Sequence, residues 1–187
     1  VDQESNIGLK QAKESTMQKL FTIGYEGANI DQLVETLLTM KIKVLADVRE
    51  LPLSRKKGLS KNGLRERLNE VGIEYRHFKK LGDPKAGRDA AKAGDLAKFE
   101  SVFYSHMETS EAQSALTELL EVASNDLTCM MCFERCATNC HRSIIADEAI
   151  LAGFEVFNLV ADRPEKYLEN DLAIMRHNPR QSLTAAE

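Results

Sequence analysis

The alternation of short apolar runs with amphipathic stretches predicts one α/β domain, with about five strands in a mostly parallel sheet and helices on both faces. Two observations carry that expectation. Leu20-Phe-Thr-Ile-Gly24 and Val44-Leu-Ala-Asp-Val48 are short, apolar and bounded by turn residues, as strands buried on both faces are. Between them Ile30, Leu33, Val34, Leu37 and Leu38 recur at helical spacing behind Asn29, a good N-cap residue. At 187 residues, 43% hydrophobic and 29% charged, the chain has the size and composition of one globular domain.

In order along the chain, residues 1–18 read as a mobile or loosely helical lead-in, 19–176 as the α/β domain, and 177–187 as a frayed tail. The first strand ends in the turn Gly24-Tyr-Glu-Gly27. After the second strand comes a polar loop over 49–61, then Ser60 as N-cap of a helix carrying Leu64, Leu68 and Val71. Ile73–Phe78 is the third strand. Residues 79–94 hold Gly82, Asp83, Pro84 and Gly87 and read as a long loop or lid. Helices are expected at about 95–107 and 111–123, a strand at 127–134, and a helix after Asn139. A fifth strand, Glu155–Val160, precedes a last helix over 164–176.

Net charge of −4 excludes a generally basic nucleic-acid coat, and no apolar run reaches the roughly 20 residues of a membrane helix. All four cysteines, Cys129, Cys132, Cys136 and Cys140, crowd into one window, unlike a secreted disulfide framework, so reduced thiols in a cytoplasm are expected. Their spacing fits neither zinc knuckles nor compact iron–sulfur runs. On a continuous strand Cys129 and Cys132 also face opposite ways, roughly 10 Å apart. No metal and no cofactor is therefore expected, and a metal or redox sensor is kept as a third reading.

In a parallel sheet ligands bind beyond the carboxyl ends of the strands, which gathers Tyr25, Arg49 and the stretch Glu134–Arg142 at one mouth. Glu134 leaves an apolar strand, where burial raises a carboxyl pKa toward the range useful for acid–base chemistry; pairing with Arg142 or Arg49 is the structural alternative. The helix start at Cys140–Ser143 offers free N–H groups, Arg142 a guanidinium fork and Ser143 a hydroxyl, a set suited to phosphate or carboxylate. The same field favours a thiolate at Cys140, and His141 could relay protons. The loop with Arg49, Arg55, Lys56, Lys57 and Lys61 against Glu50 alone attracts a phosphate-bearing partner if it faces the mouth, and is a solvated loop otherwise. Tyr25 and Tyr75 are rim candidates for stacking on a base.

Several of these pieces occur together in one known pattern. Thr22-Ile-Gly-Tyr25, Val44-Leu-Ala-Asp-Val-Arg49 with Pro52 and Ser54-Arg55, Gly72-Ile-Glu-Tyr75, Leu81-Gly82, Cys132-Phe-Glu134, Cys140-His-Arg-Ser143 and Val156 follow in order across about residues 20–160. The chain in this respect resembles the domain-of-unknown-function 488 family of bacterial and archaeal proteins. The resemblance implies a compact α/β domain and brings no settled activity. Cys132, Glu134, Cys140, His141 and Arg142 match the family motif, whereas Cys129 and Cys136 are additions.

The expectation is a hydrolase or transferase acting on a phosphorylated small molecule or nucleotide. Glu134, Cys140 and His141 are the chemical candidates; Tyr25, Arg49, Arg55, Tyr75, Arg142 and Ser143 are the binding candidates. The rival is a non-catalytic module that binds nucleic acid or protein through the same pocket.

Overall fold

A computed structural model of the chain describes residues 17–169 and 174–179. Its centre is a six-stranded sheet: β1 (Lys19–Gly24), β2 (Val44–Asp47), β3 (Glu74–His77), β4 (Thr128–Cys132), β5 (Glu155–Val160) and β6 (Met175–Arg176), in spatial order β3-β2-β4-β1-β5-β6. Pairings among β1 to β5 are parallel, and β6 runs antiparallel to β5. The two-residue β6 stands where a continuous helix to residue 176 was expected. Among the described residues that helix is only α7 (Lys166–Glu169).

Alternating side chains of the central strands feed two cores. On one face Phe21, Ile23, Leu45, Cys129 and Met131 pack against α1 (Ile30–Thr39) and α2 (Lys61–Glu70) through Leu33, Leu37, Leu64 and Leu68. On the other, Leu20, Ala46, Met130 and Cys132 meet α4 (Leu96–Met107), α5 (Ser110–Asn125) and α6 (Arg142–Leu151) through Phe103, Leu119 and Ile145. The period of two thus separates Cys129 from Cys132, as the strand reading required.

Local chemistry explains most boundaries. Asn29 accepts from the Gln32 N–H at 2.9 Å and Gln32 answers from its side chain to the Asn29 N–H, a full capping box for α1. Ser60 does not cap α2. Its hydroxyl instead accepts from the Ser54 N–H at 2.9 Å and donates to the Ser54 carbonyl at 3.1 Å, closing the 54–60 loop. The stretch 79–94, expected as a loop or lid, contains a single 3-10 turn and the helix α3 (Lys85–Lys92). Alanine content at 86, 90 and 91 and the Lys85–Asp89 pair at 2.6 Å outweigh the single helical Gly87.

The expected lead-in falls outside the described residues except for its last two positions, as do residues 180–187 of the expected tail. His177, where that tail begins, is buried, and its N–H donates to the Val156 carbonyl at 2.8 Å. Among the described residues no helix is long and apolar enough to cross a membrane.

Candidate functional site

The connectivity opens a crevice. After β2 the chain turns toward the face that holds α1 and α2, whereas after the neighbouring β4 it turns to the opposite face, where α6 packs. Divergent exits leave a gap beyond the carboxyl ends of the two strands. A cavity of about 510 Å³ fills it. Its walls come from Arg49 to Ser60 after β2, from Cys132, Phe133 and Glu134 after β4, from Tyr25 after β1, and from Asp83, Arg88 and His141.

Sulfur, imidazole and carboxyl meet at the floor. Cys132 Sγ lies 3.1 Å from Glu134 Oε2 and 3.7 Å from His141 Nδ1, and Cys140 Sγ lies 3.8 Å from the same nitrogen. His141 Nε2 is 2.9 Å from the Val48 carbonyl, so that nitrogen carries the hydrogen and Nδ1 faces the sulfurs. The ring leans on Phe103 at 5.1 Å between centroids. Consecutive side chains within a helix diverge, yet Cys140 and His141 converge. Cys140 is still extended at φ −133°, and the helical turn begins only at His141.

Burial dominates the electrostatics here. It lifts the Glu134 carboxyl to about 7, with the charge of Cys140 adding to the effect. It would lower the His141 pKa, but the neighbouring Cys140 sulfur reverses this and brings the imidazole up to about 9. Of the two sulfurs, Cys132 keeps its proton, raised by its hydrogen bond to Cys140 and by burial. Cys140 is lowered despite burial, by that hydrogen bond and by the positive charge of His141 and Arg142. Asp83, 6% exposed, is raised by burial to about 6, and its Oδ1 has no hydrogen-bond partner.

The opposite wall is a saturated arginine. Arg49 grips Asp47 with Nε to Oδ1 at 2.8 Å and Nη2 to Oδ2 at 2.6 Å. Its Nη1 donates to the Tyr25 hydroxyl and the Leu59 carbonyl, both at 3.0 Å. Tyr75 donates to Asp47 Oδ2 at 2.6 Å and does not line the cavity. Arg55, exposed at the rim, has no partner among the described residues.

These segments are matched by one family model, described as Domain of unknown function DUF488, over residues 29–149. The chain belongs to that family. No curated protein and no solved structure matches this chain. In this DUF488 domain, α1 through β4 and most of α6 fall within the matched segment, while Tyr25 and β5 lie outside it.

Five of the residues singled out from sequence thus share the cavity: Tyr25, Arg49, Arg55, Glu134 and His141. Cys140 sits just beneath. Arg142 and Ser143 do not line it. The Arg142 side chain is fully buried, donating to the carbonyls of Glu134 at 2.6 Å and Arg135 at 3.1 Å and to Thr22 Oγ1 at 3.3 Å. Ser143 Oγ donates to the Cys140 carbonyl at 2.8 Å. The expected anion seat at that helix start is therefore filled by the protein's own groups. Glu134 pairs with neither arginine side chain among the described residues, and its backbone, not its carboxylate, holds Arg142.

Sequence reasoning missed Asp83, Glu50 and Arg88. All three border the cavity, with Arg88 ion-paired to Glu50. The signal was present at Gly87: a Cβ there would stand 2.0 Å from Asp83 Oδ1, so the carboxyl keeps its present place only beside a residue without a side chain. Gly24 does the same for the turn after β4, since a Cβ would lie 1.8 Å from the Glu134 carbonyl oxygen.

Proposed function

We propose that this domain is a hydrolase or transferase that acts on a phosphorylated or nucleotide-like small molecule held in the cavity between the β2 and β4 exits. One observation carries the reading. Tyr25, Arg49, Glu134 and His141, from four separate segments, surround a single cavity with a half-buried carboxyl at its floor. Glu134 then takes the proton from an attacking water or acceptor hydroxyl and returns it to the leaving group. Cys140 and His141 fix its surroundings. Arg55 is the free cation for a phosphate, and Leu51, Leu53 and Phe133, all exposed at the mouth, offer apolar surface to a base or similar ring. The free thiols Cys132 and Cys140 fit a reducing, cytoplasmic setting.

A non-catalytic nucleic-acid module has less support. It calls for an open basic stripe, but Arg49, Arg88 and Lys85 are each paired with a carboxylate. The test is a thermal-shift panel of nucleotides and sugar phosphates on the parent, Arg55→Ala and Glu134→Gln proteins. One ligand class should stabilise the parent and lose its effect with Arg55→Ala. Its turnover should fall about 100-fold or more with Glu134→Gln while binding persists. A panel in which no compound moves the parent removes the reading.

A further inference from the structure

We propose that Cys132, Cys140 and His141 form a binding site for one zinc ion, with the remaining coordination position opening onto the cavity. The inference goes beyond the hydrolase or transferase reading and does not depend on it, because zinc binding here is read from the metal and its ligands without any turnover.

The geometry comes first. Cys132 Sγ, Cys140 Sγ and His141 Nδ1 all lie within 4.8 Å of one another, and all three residues are buried. A tetrahedral zinc ion with bonds of about 2.3 Å to sulfur and about 2.0–2.1 Å to nitrogen sets its sulfur and nitrogen ligands about 3.5–3.6 Å apart and two sulfurs about 3.8 Å apart. The two sulfur-to-nitrogen distances are 3.7 and 3.8 Å. Both exceed the tetrahedral sulfur–nitrogen edge by only a few tenths of an ångström, so a small closure of the trio brings the three donors to bonding distance of one ion.

Orientation supports the same conclusion. Metal-binding histidines characteristically give their second ring N–H to a carbonyl or carboxylate, which fixes the tautomer and aims the free lone pair. His141 does this, with Nε2 on the Val48 carbonyl and Nδ1 toward both sulfurs. The backbone arranges the rest. Cys132 closes a strand, Cys140 is extended and His141 opens the helical turn, so two extended residues and one helical residue converge.

A buried carboxyl without a hydrogen-bond donor borders the same cavity. Asp83 is 6% exposed, borders the cavity with Cys132 and His141, and leaves Oδ1 without a donor. The other cysteines are excluded on position: Cys129 is buried in the opposite core and Cys136 is exposed outside the trio. Two sulfurs and one imidazole are a donor set that suits zinc better than magnesium or calcium. Loading displaces the protons held by the sulfurs and Nδ1 to solvent, with no change of oxidation state.

The experiment uses the full chain purified under reducing conditions and equilibrated with zinc alone. Elemental analysis should give one zinc per chain, and X-ray absorption at the zinc edge should show two sulfurs at about 2.3 Å and at least one nitrogen or oxygen neighbour. Cobalt in place of zinc should give a thiolate charge-transfer band that survives Cys136→Ser and is lost or halved in Cys140→Ser. Because a buried variant can misfold, the absorption measurement on the parent decides alone. Absence of stoichiometric zinc, or a sulfur count other than two, overturns the proposal. Repeating the nucleotide and sugar-phosphate panel on zinc-loaded and chelated protein keeps the two readings apart, since either can fail while the other stands.

Discussion

Two buried arginines stand at the carboxyl edge of the sheet, and they are neutralised in opposite ways. Arg49 is held by the carboxylate of Asp47 and borders the cavity, whereas Arg142 meets carbonyl and hydroxyl oxygens, with no carboxylate partner among the described residues. A guanidinium paired with an acid forms a neutral unit that can present one edge to a ligand. A guanidinium solvated by backbone carbonyls is a clamp on the chain that carries them, here the turn that positions Glu134. Residue type alone does not separate these roles; the partners do.

The sharpest way to break the comparison is Arg142→Met. It leaves the part-buried Glu134 and Arg135 carbonyls and the buried Thr22 hydroxyl without their donor and should cost about 3–5 kcal/mol by urea denaturation. It should also lower any activity through displacement of Glu134, with Arg142→Lys recovering part of the stability. A result under 1 kcal/mol would mean that the clamp is not structural. For the other arginine a double-mutant cycle is decisive. Arg49→Met alone should cost about 3 kcal/mol because Asp47 remains buried, whereas Arg49→Met with Asp47→Asn should recover at least half of that loss. Additive losses would show that the pair is not a unit.

A smaller effect comes from Asp83, the buried acid with no partner, set against Asp47, which has several. Burial raises the folded-state pKa of Asp83 to about 6, above its ordinary 3.8. The folded protein therefore binds more protons than the unfolded chain, and the stability present below pH 3.8 is lost as the pH rises through about 6. Asp83→Asn should accordingly raise the stability of the metal-free protein at pH 7.5 by about 1–3 kcal/mol, with little change at pH 4. Thermal melts across that range check it. An equal shift at both pH values would place the origin elsewhere.

How much was legible in the sequence follows the same line between pattern and partner. The strands ending at Gly24 and Asp47 and the capped helix behind Asn29 are written in period and cap chemistry, and they form as read. The helix Lys85–Lys92 was hidden by the turn formers before it, and with it Asp83. A two-residue strand such as Met175–Arg176 has no period to detect; it depends on a neighbour. At the site, side-chain alternation correctly parted Cys129 from Cys132, but it did not reveal that Cys132 and Cys140 meet. That meeting depends on the chain reversing between strand and helix, which spacing along a strand cannot report. Arg142 was legible as a guanidinium at a helix start and was read as an anion ligand; its actual partners, two backbone carbonyls and a hydroxyl, leave no trace in spacing.

The two glycines that admit the floor have a consequence for how this pocket can change. Because Gly24 lets the Glu134 carbonyl sit against β1, one added methyl there would push on backbone and move the turn that carries Glu134, whereas at Gly87 it would displace the Asp83 carboxyl. The entrance is under no such restriction: Leu51 and Leu53 are 53% and 73% exposed on a loop tied at its base by Ser54 and Ser60. Guest preference can therefore drift through those two leucines while the reactive groups keep their places, so proteins built on this plan can differ in what they admit without differing in what they do to it.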